Sequence, residues 1–289
     1  MTSKHAELPG FTHHMADLGD VRLHYVRGGV GEPLLLVHGF PTTWFEWRHV
    51  MPALSASFDV IVPDLRGLGA SSKPYSGYDK QTLGEDLNRL VDKLGLKTAT
   101  AVGHDWGASA VFALARTYPQ KVKRVAILEH ALPGFGLEEL LIATSDRVLW
   151  HMTFQMSDVA EMLVAGRERQ YLMWFYTHIA YNPYAVTTEE IDEYVRAYSM
   201  PGAMRSGFNL YRTFFEDVEY NRAHAGSRLP MPILTLGGDN CLGDLSERGL
   251  RQVADDVRGC VLKDCGHWIP QERPDVLLNE LTRFFKDTA

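Results

Sequence analysis

Residues 103–107 read Gly-His-Asp-Trp-Gly, and no other stretch constrains the fold of this chain as strongly. An apolar run, Thr98 to Val102, precedes the pentapeptide and has the composition of a short buried strand. Ala108 to Arg116 follows, rich in alanine and helical in composition. A strand that feeds a helix through Gly-x-Asp-x-Gly has the pattern of a nucleophile elbow. The two glycines allow a sharp turn and let helix and strand approach closely. Asp105 then stands at the top of a sheet, where the usual motif carries serine. The competing interpretation is a plain loop in which Asp105 is the N-cap of the next helix. The pentapeptide alone leaves both open.

The rest of the chain supplies the frame for an elbow. Residues 11–27 alternate apolar and polar side chains around Gly19-Asp20, which predicts two strands joined by a tight turn. Pro33 to Val37 and Asp59 to Val62 are continuous apolar runs, as expected for central strands covered on both faces. A helix is predicted from about Trp44 to Leu54. A second runs from Leu83 to Leu94, with its leucines on one face and Gly95 closing it. Val122 to Leu128 is the next strand. Strand–helix alternation of this kind means an α/β fold with a mostly parallel central sheet and helices on both faces. The alternation breaks after about residue 131. From Leu137 to about Val218 the chain is helical and rich in aromatic residues and methionine. It resumes with a strand at Pro232 to Leu236, a helix near Ser246 to Ala254, a short strand at Cys260 to Leu262 and a terminal helix at Val276 to Lys286. The predicted organisation is therefore a core of residues 1–131 and 221–289 with a helical cap of residues 132–220. An insertion over the carboxyl ends of the strands would form a lid above the crevice where such sheets bind ligands.

Composition narrows the function classes. A formal net charge of −7 argues against nucleic acid and anionic membrane surfaces as partners. The three cysteines, Cys241, Cys260 and Cys265, are odd in number and match no zinc spacing, so buried free thiols and no metal are expected. The first ten residues contain no apolar segment of the signal-peptide kind, and no run approaches a membrane span, so the expected location is cytoplasmic.

Asp105 as a nucleophile needs oxyanion donors, a base and an acid that orients the base. The donors would be the backbone N–H groups of Trp106 and of Phe40, the latter in the loop His38-Gly-Phe-Pro41 after an early strand. His267, in Asp264-Cys-Gly-His-Trp-Ile-Pro270 after the last strand, stands out among twelve histidines as the base, because it falls late in the chain in a glycine loop. Two acids compete to orient it. Glu129 directly follows the strand at 122–128, and Asp239 follows the strand at 232–236. Six tryptophans and many Phe and Met residues suggest an apolar pocket.

His38-Gly-Phe-Pro41, Asp64-Leu-Arg-Gly-Leu-Gly-Ala-Ser71, Gly103-His-Asp-Trp-Gly-Ala108 and Gly266-His-Trp-Ile-Pro270 together resemble the motif series of the α/β-hydrolase epoxide hydrolases, in the same order. The resemblance implies a cofactor-independent, metal-free reaction of a small-molecule epoxide with water. Asp105 attacks a ring carbon and forms an ester, which water activated by His267 hydrolyses to a diol. It also implies acids in the lid that protonate the ring oxygen. Phe208-Asn-Leu-Tyr-Arg212 resembles the segment carrying one of them, Tyr211. Trp150-His-Met-Thr-Phe154 resembles the segment of the Cif-like subgroup, which pairs a histidine with the tyrosine; here that is His151. Ile127-Leu-Glu-His-Ala131 resembles the same subgroup's acid position, whereas Asp239 occupies the place used by other epoxide hydrolases. Tyr176, His178 and Tyr181 are reserve donors. A homodimer is compatible with the sequence.

A haloalkane or haloacid dehalogenase of the same fold would use the same Asp105, His267 and acid. Phe40 offers it only a backbone N–H, although the Trp106 indole could donate to a halide. Fluoroacetate dehalogenases resemble this chain in the Trp-His lid segment but carry arginines after the nucleophile, where Trp106 and Ser109 stand here. A non-catalytic ligand receptor on this fold is the remaining alternative.

Overall fold

A computed structural model describes residues 6–142 and 149–286. Eight strands form one sheet: β1 (Thr12–Asp17), β2 (Arg22–Gly28), β3 (Glu32–Val37), β4 (Phe58–Pro63), β5 (Ala99–His104), β6 (Val122–Leu128), β7 (Ile233–Gly238) and β8 (Val257–Leu262). Their spatial order is β1-β2-β4-β3-β5-β6-β7-β8. The β1–β2 hairpin joins β4 antiparallel, and every other pairing is parallel. The centre of the sheet is its most apolar part: β5 is buried along its whole length and β3 from Leu34 onward. Helices cover both faces of such a sheet, so its strands have no polar side to show.

Helix α1 (Lys80–Lys93) starts where the Asp79 side chain accepts the Thr82 N–H, and it buries Leu83, Leu87, Leu90 and Val91. Gly95 follows at φ 69°, the left-handed residue expected just past a helix end. Helix α2 (Trp106–Thr117) follows β5 directly. The expected helix at Trp44 to Leu54 is instead a 3₁₀ segment, Trp44–His49, followed by one turn, Met51–Leu54. Pro52 explains the break, because it can open a helical turn but lacks the N–H to continue one. The strand expected at Cys260 to Leu262 begins earlier, at Val257; Arg258 and Gly259 had interrupted its apolar run. The helix expected to reach Ala254 ends at Leu250, because the Val253 carbonyl accepts the Leu229 N–H and Ala254 bridges to Leu229.

Between β6 and β7 lie helices α3 (Leu137–Ile142), α4 (Trp150–Met156), α5 (Val159–Val164), α6 (Glu168–His178), α7 (Thr188–Tyr198), α8 (Ala203–Arg212) and α9 (Phe214–Ala223). The segment is fastened to loops at the carboxyl end of the sheet. The Tyr176 hydroxyl donates to the Pro41 carbonyl at 2.6 Å and the Tyr198 hydroxyl to the Thr42 carbonyl at 2.8 Å. The Ile179 carbonyl accepts the His267 N–H at 2.9 Å, and the Phe175 carbonyl accepts the Trp268 indole N–H at 3.2 Å. The remaining core helices are α10 (Leu245–Leu250) and α11 (Pro274–Lys286), besides one turn at Ile269–Glu272. Among the described residues, no helix is long and apolar enough to cross a membrane.

Lys80 is a further fastening. Its buried ammonium donates to Asp217 Oδ2 at 2.6 Å and to the Leu210 carbonyl at 2.7 Å. It also sits 4.3 Å from the centre of the Trp106 ring. Removing one member of a buried ion pair leaves the other charge uncompensated, which typically costs about 3 kcal/mol or more. Lys80→Met should therefore lower the urea-unfolding free energy by about 3 kcal/mol. A loss comparable with an exposed pair, under about 1 kcal/mol, would show that Lys80 does not anchor the helical segment.

Candidate active site

The turn between β5 and α2 has the geometry of an elbow. Asp105 takes φ 51° and ψ −132°, a conformation that non-glycine residues rarely adopt. The flanking glycines are required by contact: a Cβ on Gly103 would lie 2.5 Å from Ala108 Cα, and one on Gly107 would lie 2.3 Å from the Val37 carbonyl oxygen. Asp105 occupies the N-cap position of α2, yet its side chain makes no capping bond. The carboxylate turns instead to the loop after β3, where the Phe40 N–H donates to Oδ1 at 2.8 Å. The Trp106 N–H gives the same carboxylate a second backbone bond. The Asp105 carboxylate is thus met by both N–H groups that the sequence singled out, with Phe40 on Oδ1.

The other oxygen faces His267. Asp105 Oδ2 lies 3.7 Å from His267 Nε2, and His267 Nδ1 lies 3.4 Å from Glu129 Oε2. Glu129 is fully buried at the end of β6, in a second left-handed conformation at φ 45°. Its Oε1 accepts the N–H groups of Gly238 and Leu242, which leaves Oε2 directed at the imidazole. Asp239 is not brought to His267. It is exposed, and its Oδ1 accepts from the Cys265 N–H at 3.2 Å and the Asn240 side chain at 2.6 Å. The reason lies in β7: the strand runs on through Gly237-Gly238, and Asp239 leaves it on the solvent side.

Above Asp105 is a cavity of about 590 Å³, counted out to its mouth. Phe40, Leu137, Met152, Phe175 and Trp268 give it apolar walls. His151 and Tyr211 line it as well, with ring centres 6.2 Å apart. Burial, reinforced by the Asp105 charge, holds the Tyr211 phenol well above its ordinary pKa, so it keeps its proton. The reserve donors are engaged elsewhere. Tyr176 donates to Pro41, His178 is on the outside against Trp174, and Tyr181 is exposed and interacts with Asp264. Of the cysteines, Cys265 is buried as expected, whereas Cys241 and Cys260 are only half-buried. Cys241 lines the cavity, and its thiol, with Glu129 and His267, makes a group of ligand atoms within 4.8 Å of one another.

Sequence inspection passed over His104, although it sits inside the elbow motif. It is fully buried, its Nδ1 is 3.1 Å from Glu46 Oε1, and its Nε2 bonds the His267 carbonyl at 2.8 Å. Burial alone would drive out its proton, but the Glu46 carboxylate outweighs burial and raises its pKa to about 9. The Glu46 carboxylate thus favours the charged imidazolium, and its signal in the sequence was a histidine on an otherwise apolar strand. Asp105 in turn is raised above the ordinary carboxylate value by burial, against the opposing pull of His267, His104 and the two backbone N–H groups. His130, beside Glu129, is held neutral by burial and by the Lys80 charge, and its Nε2 bonds Ser109 Oγ at 2.6 Å.

Residues 32–274 match the α/β hydrolase fold family. A soluble epoxide hydrolase of Corynebacterium sp. (strain C12) is 39% identical over 95% of this chain and 97% of its own. The crystal structure of Cfl2 from Burkholderia cenocepacia superposes with a TM-score of 0.92 at 37% identity, covering 96% of each chain. The epoxide hydrolase CorEH gives a TM-score of 0.88 at 38% identity, covering 95% of this chain and 98% of that one. The chain belongs to the epoxide hydrolase family of the α/β-hydrolase fold, and it is a hydrolase.

The charge on His104 has a direct check. Its folded pKa lies above the ordinary 6.5, so its contribution to stability is complete below that value and is lost as pH rises through about 9. In NMR spectra of the protein with labelled histidine, the His104 imidazole should titrate near 9. A neutral ring at pH about 7 would contradict the Glu46 pairing.

Proposed function

We propose that this enzyme opens an epoxide to a vicinal diol through a covalent ester on Asp105. The observation that carries the reading is the division of labour between the two Asp105 oxygens. Oδ1 accepts the Phe40 N–H, the Trp106 N–H acts on the same carboxylate, and Oδ2 faces His267 at the cavity. In the first step Oδ2 attacks a ring carbon and the carbon–oxygen bond of the epoxide breaks. The departing oxygen takes a proton from Tyr211 or His151 in the lid formed by residues 132–220, so no free alkoxide is released. In the second step His267 Nε2 removes a proton from water, and the hydroxide adds to the ester carbon of Asp105. Negative charge develops on Oδ1, where the Phe40 N–H already points and the Trp106 N–H is beside it on the same carboxyl. On collapse the His267 imidazolium gives its proton to the departing diol oxygen, and the proton left on the Asp105 carboxyl returns to the lid acid, which restores both groups. Glu129 keeps His267 in the tautomer that presents a lone pair at Nε2 and stabilises the imidazolium that forms. The names of the relatives agree with this chemistry, and the apolar cavity walls suit a hydrocarbon-rich epoxide.

A dehalogenase reading retains one observation in its favour. Among the described residues the buried Trp106 indole N–H has no partner at full bonding distance, and it faces the Tyr211 phenol, whose ring stands edge-on to it. A mixed panel of aryl and alkyl epoxides and haloalkanes, scored for diol against released halide, separates the two. Diol alone supports the epoxide hydrolase, and halide alone would replace it.

Two sets of variants address the mechanism. His267→Gln should retain the first step and stall the second, leaving Asp105 heavier by the mass of one substrate molecule; unmodified protein after a single-turnover mix would count against covalent catalysis. Glu129→Gln should slow ester hydrolysis by on the order of 10²-fold or more, while Asp239→Asn stays near the wild-type rate. The reverse ranking would return the orienting role to Asp239.

A further inference from the structure

We propose that Glu129, Cys241 and His267 form a site for a thiophilic divalent cation, zinc or cadmium, whose occupancy arrests turnover at the ester stage. The arrest rests on the covalent reaction proposed for Asp105, whereas the binding site does not. The three ligands come from the carboxyl ends of three neighbouring strands: Glu129 after β6, Cys241 in the loop after β7 and His267 after β8. Their ligand atoms all lie within 4.8 Å of one another, with Glu129 and His267 buried and Cys241 half-buried at the cavity. Thiolate, imidazole and carboxylate are the donor types that zinc takes in tetrahedral sites, at about 2.3, 2.0 and 2.1 Å. Those bond lengths put ligand atoms about 3.3 to 3.6 Å apart. The Glu129 Oε2 to His267 Nδ1 distance, 3.4 Å, already has that length. The thiol lies within 4.8 Å of both other ligand atoms, so closing to the tetrahedral edge takes a shift of at most about an ångström. Glu129 Oε1 is engaged by two backbone N–H groups, so Oε2 is the oxygen left for a cation. A fourth position opens toward the cavity, where water can complete the shell.

The consequence follows from the tautomers of one ring. The cation binds His267 through Nδ1, so the neutral ring must carry its proton on Nε2. The Cys241 thiol releases its proton to solvent as the metal–sulfur bond forms. An Nε2 that carries a proton has no lone pair to accept one from water. The ring-opening step uses Asp105 and the lid acids and is untouched, but ester hydrolysis loses its base. Zinc therefore differs from an inhibitor that fills the cavity: it should leave the enzyme alkylated.

The site is tested first without turnover. Cadmium added to protein freed of metal with a chelator should produce the ultraviolet thiolate-to-cadmium absorption, saturating at one equivalent. Cys241→Ala and His267→Gln should weaken this binding by at least roughly 100-fold, the upper end of what losing a mere outer-shell partner costs. Cys260→Ser, distant from the group, should not. If Cys241→Ala fails to fold, Cys241→Ser serves in its place. No absorption in the folded wild-type protein, or absorption indifferent to Cys241, overturns the site. The second measurement is the mass of the protein after mixing with zinc and then with an epoxide. Accumulated ester in the wild type, and none in Cys241→Ala under the same zinc, is the expected result. Cadmium binding without ester accumulation overturns the arrest. If His267→Gln also forms no ester, the covalent reaction has failed and the metal site stands.

Discussion

The hydrogen bond from the Phe40 N–H to Asp105 Oδ1 joins the two halves of the site, and much of the structure serves to hold its ends in place. Asp105 reaches it only because the elbow forces φ to 51°, and the elbow exists only because α2 can press against the end of β3. The other end is braced from below. Buried Asp64 accepts the Trp44 and Ala70 N–H groups and pairs with His24, and its Oδ1 lies 3.3 Å from His38, the first residue of the loop. From above, Tyr176 and Tyr198 donate their phenols to the carbonyls of Pro41 and Thr42. The loop is thus fixed on both sides before any ligand arrives, which is the condition for backbone donors to act on a developing charge without reorganising.

Electrostatics divide the site into groups that keep protons and groups that do not. Tyr211 is kept protonated by burial beside a carboxylate, and His130 is kept neutral by burial beside Lys80. His104 goes the other way, because Glu46 is buried against it and outweighs the desolvation cost. The His104 ring lies 4.8 Å from that of His267, and its charge moderates the burial that would otherwise raise Asp105 further. Placing titratable groups in environments that push them apart is how acid and base roles are assigned within one pocket.

Much of this was legible in the sequence, for local reasons. The elbow, the loop at His38 to Pro41 and the histidine after β8 announce themselves because each needs particular residues at fixed spacing. Between Glu129 and Asp239 the sequence favoured Glu129 only through the resemblance of Ile127 to Ala131 to the Cif-like acid position, because both residues follow strands of the same sheet and the three-dimensional path of each loop decides which carboxylate faces inward. In the structure Glu129 is enclosed beside His267, while Asp239 is exposed and accepts from Cys265 and Asn240. The Glu46–His104 pair and the Lys80–Asp217 pair were invisible for a related reason. Each joins residues far apart in sequence, and nothing in the residues around either partner points to the other. The break at Pro52 was in plain view, but the apolar spacing around it read as one continuous helix.

The central claim is that Asp105, not water, attacks the substrate. A single turnover in heavy-oxygen water tests it most directly, with enzyme in excess over epoxide. The account predicts a diol free of the heavy isotope, because its new oxygen comes from Asp105, and one heavy oxygen incorporated into the Asp105 carboxylate. Heavy oxygen in the diol, with an unlabelled Asp105, would contradict it.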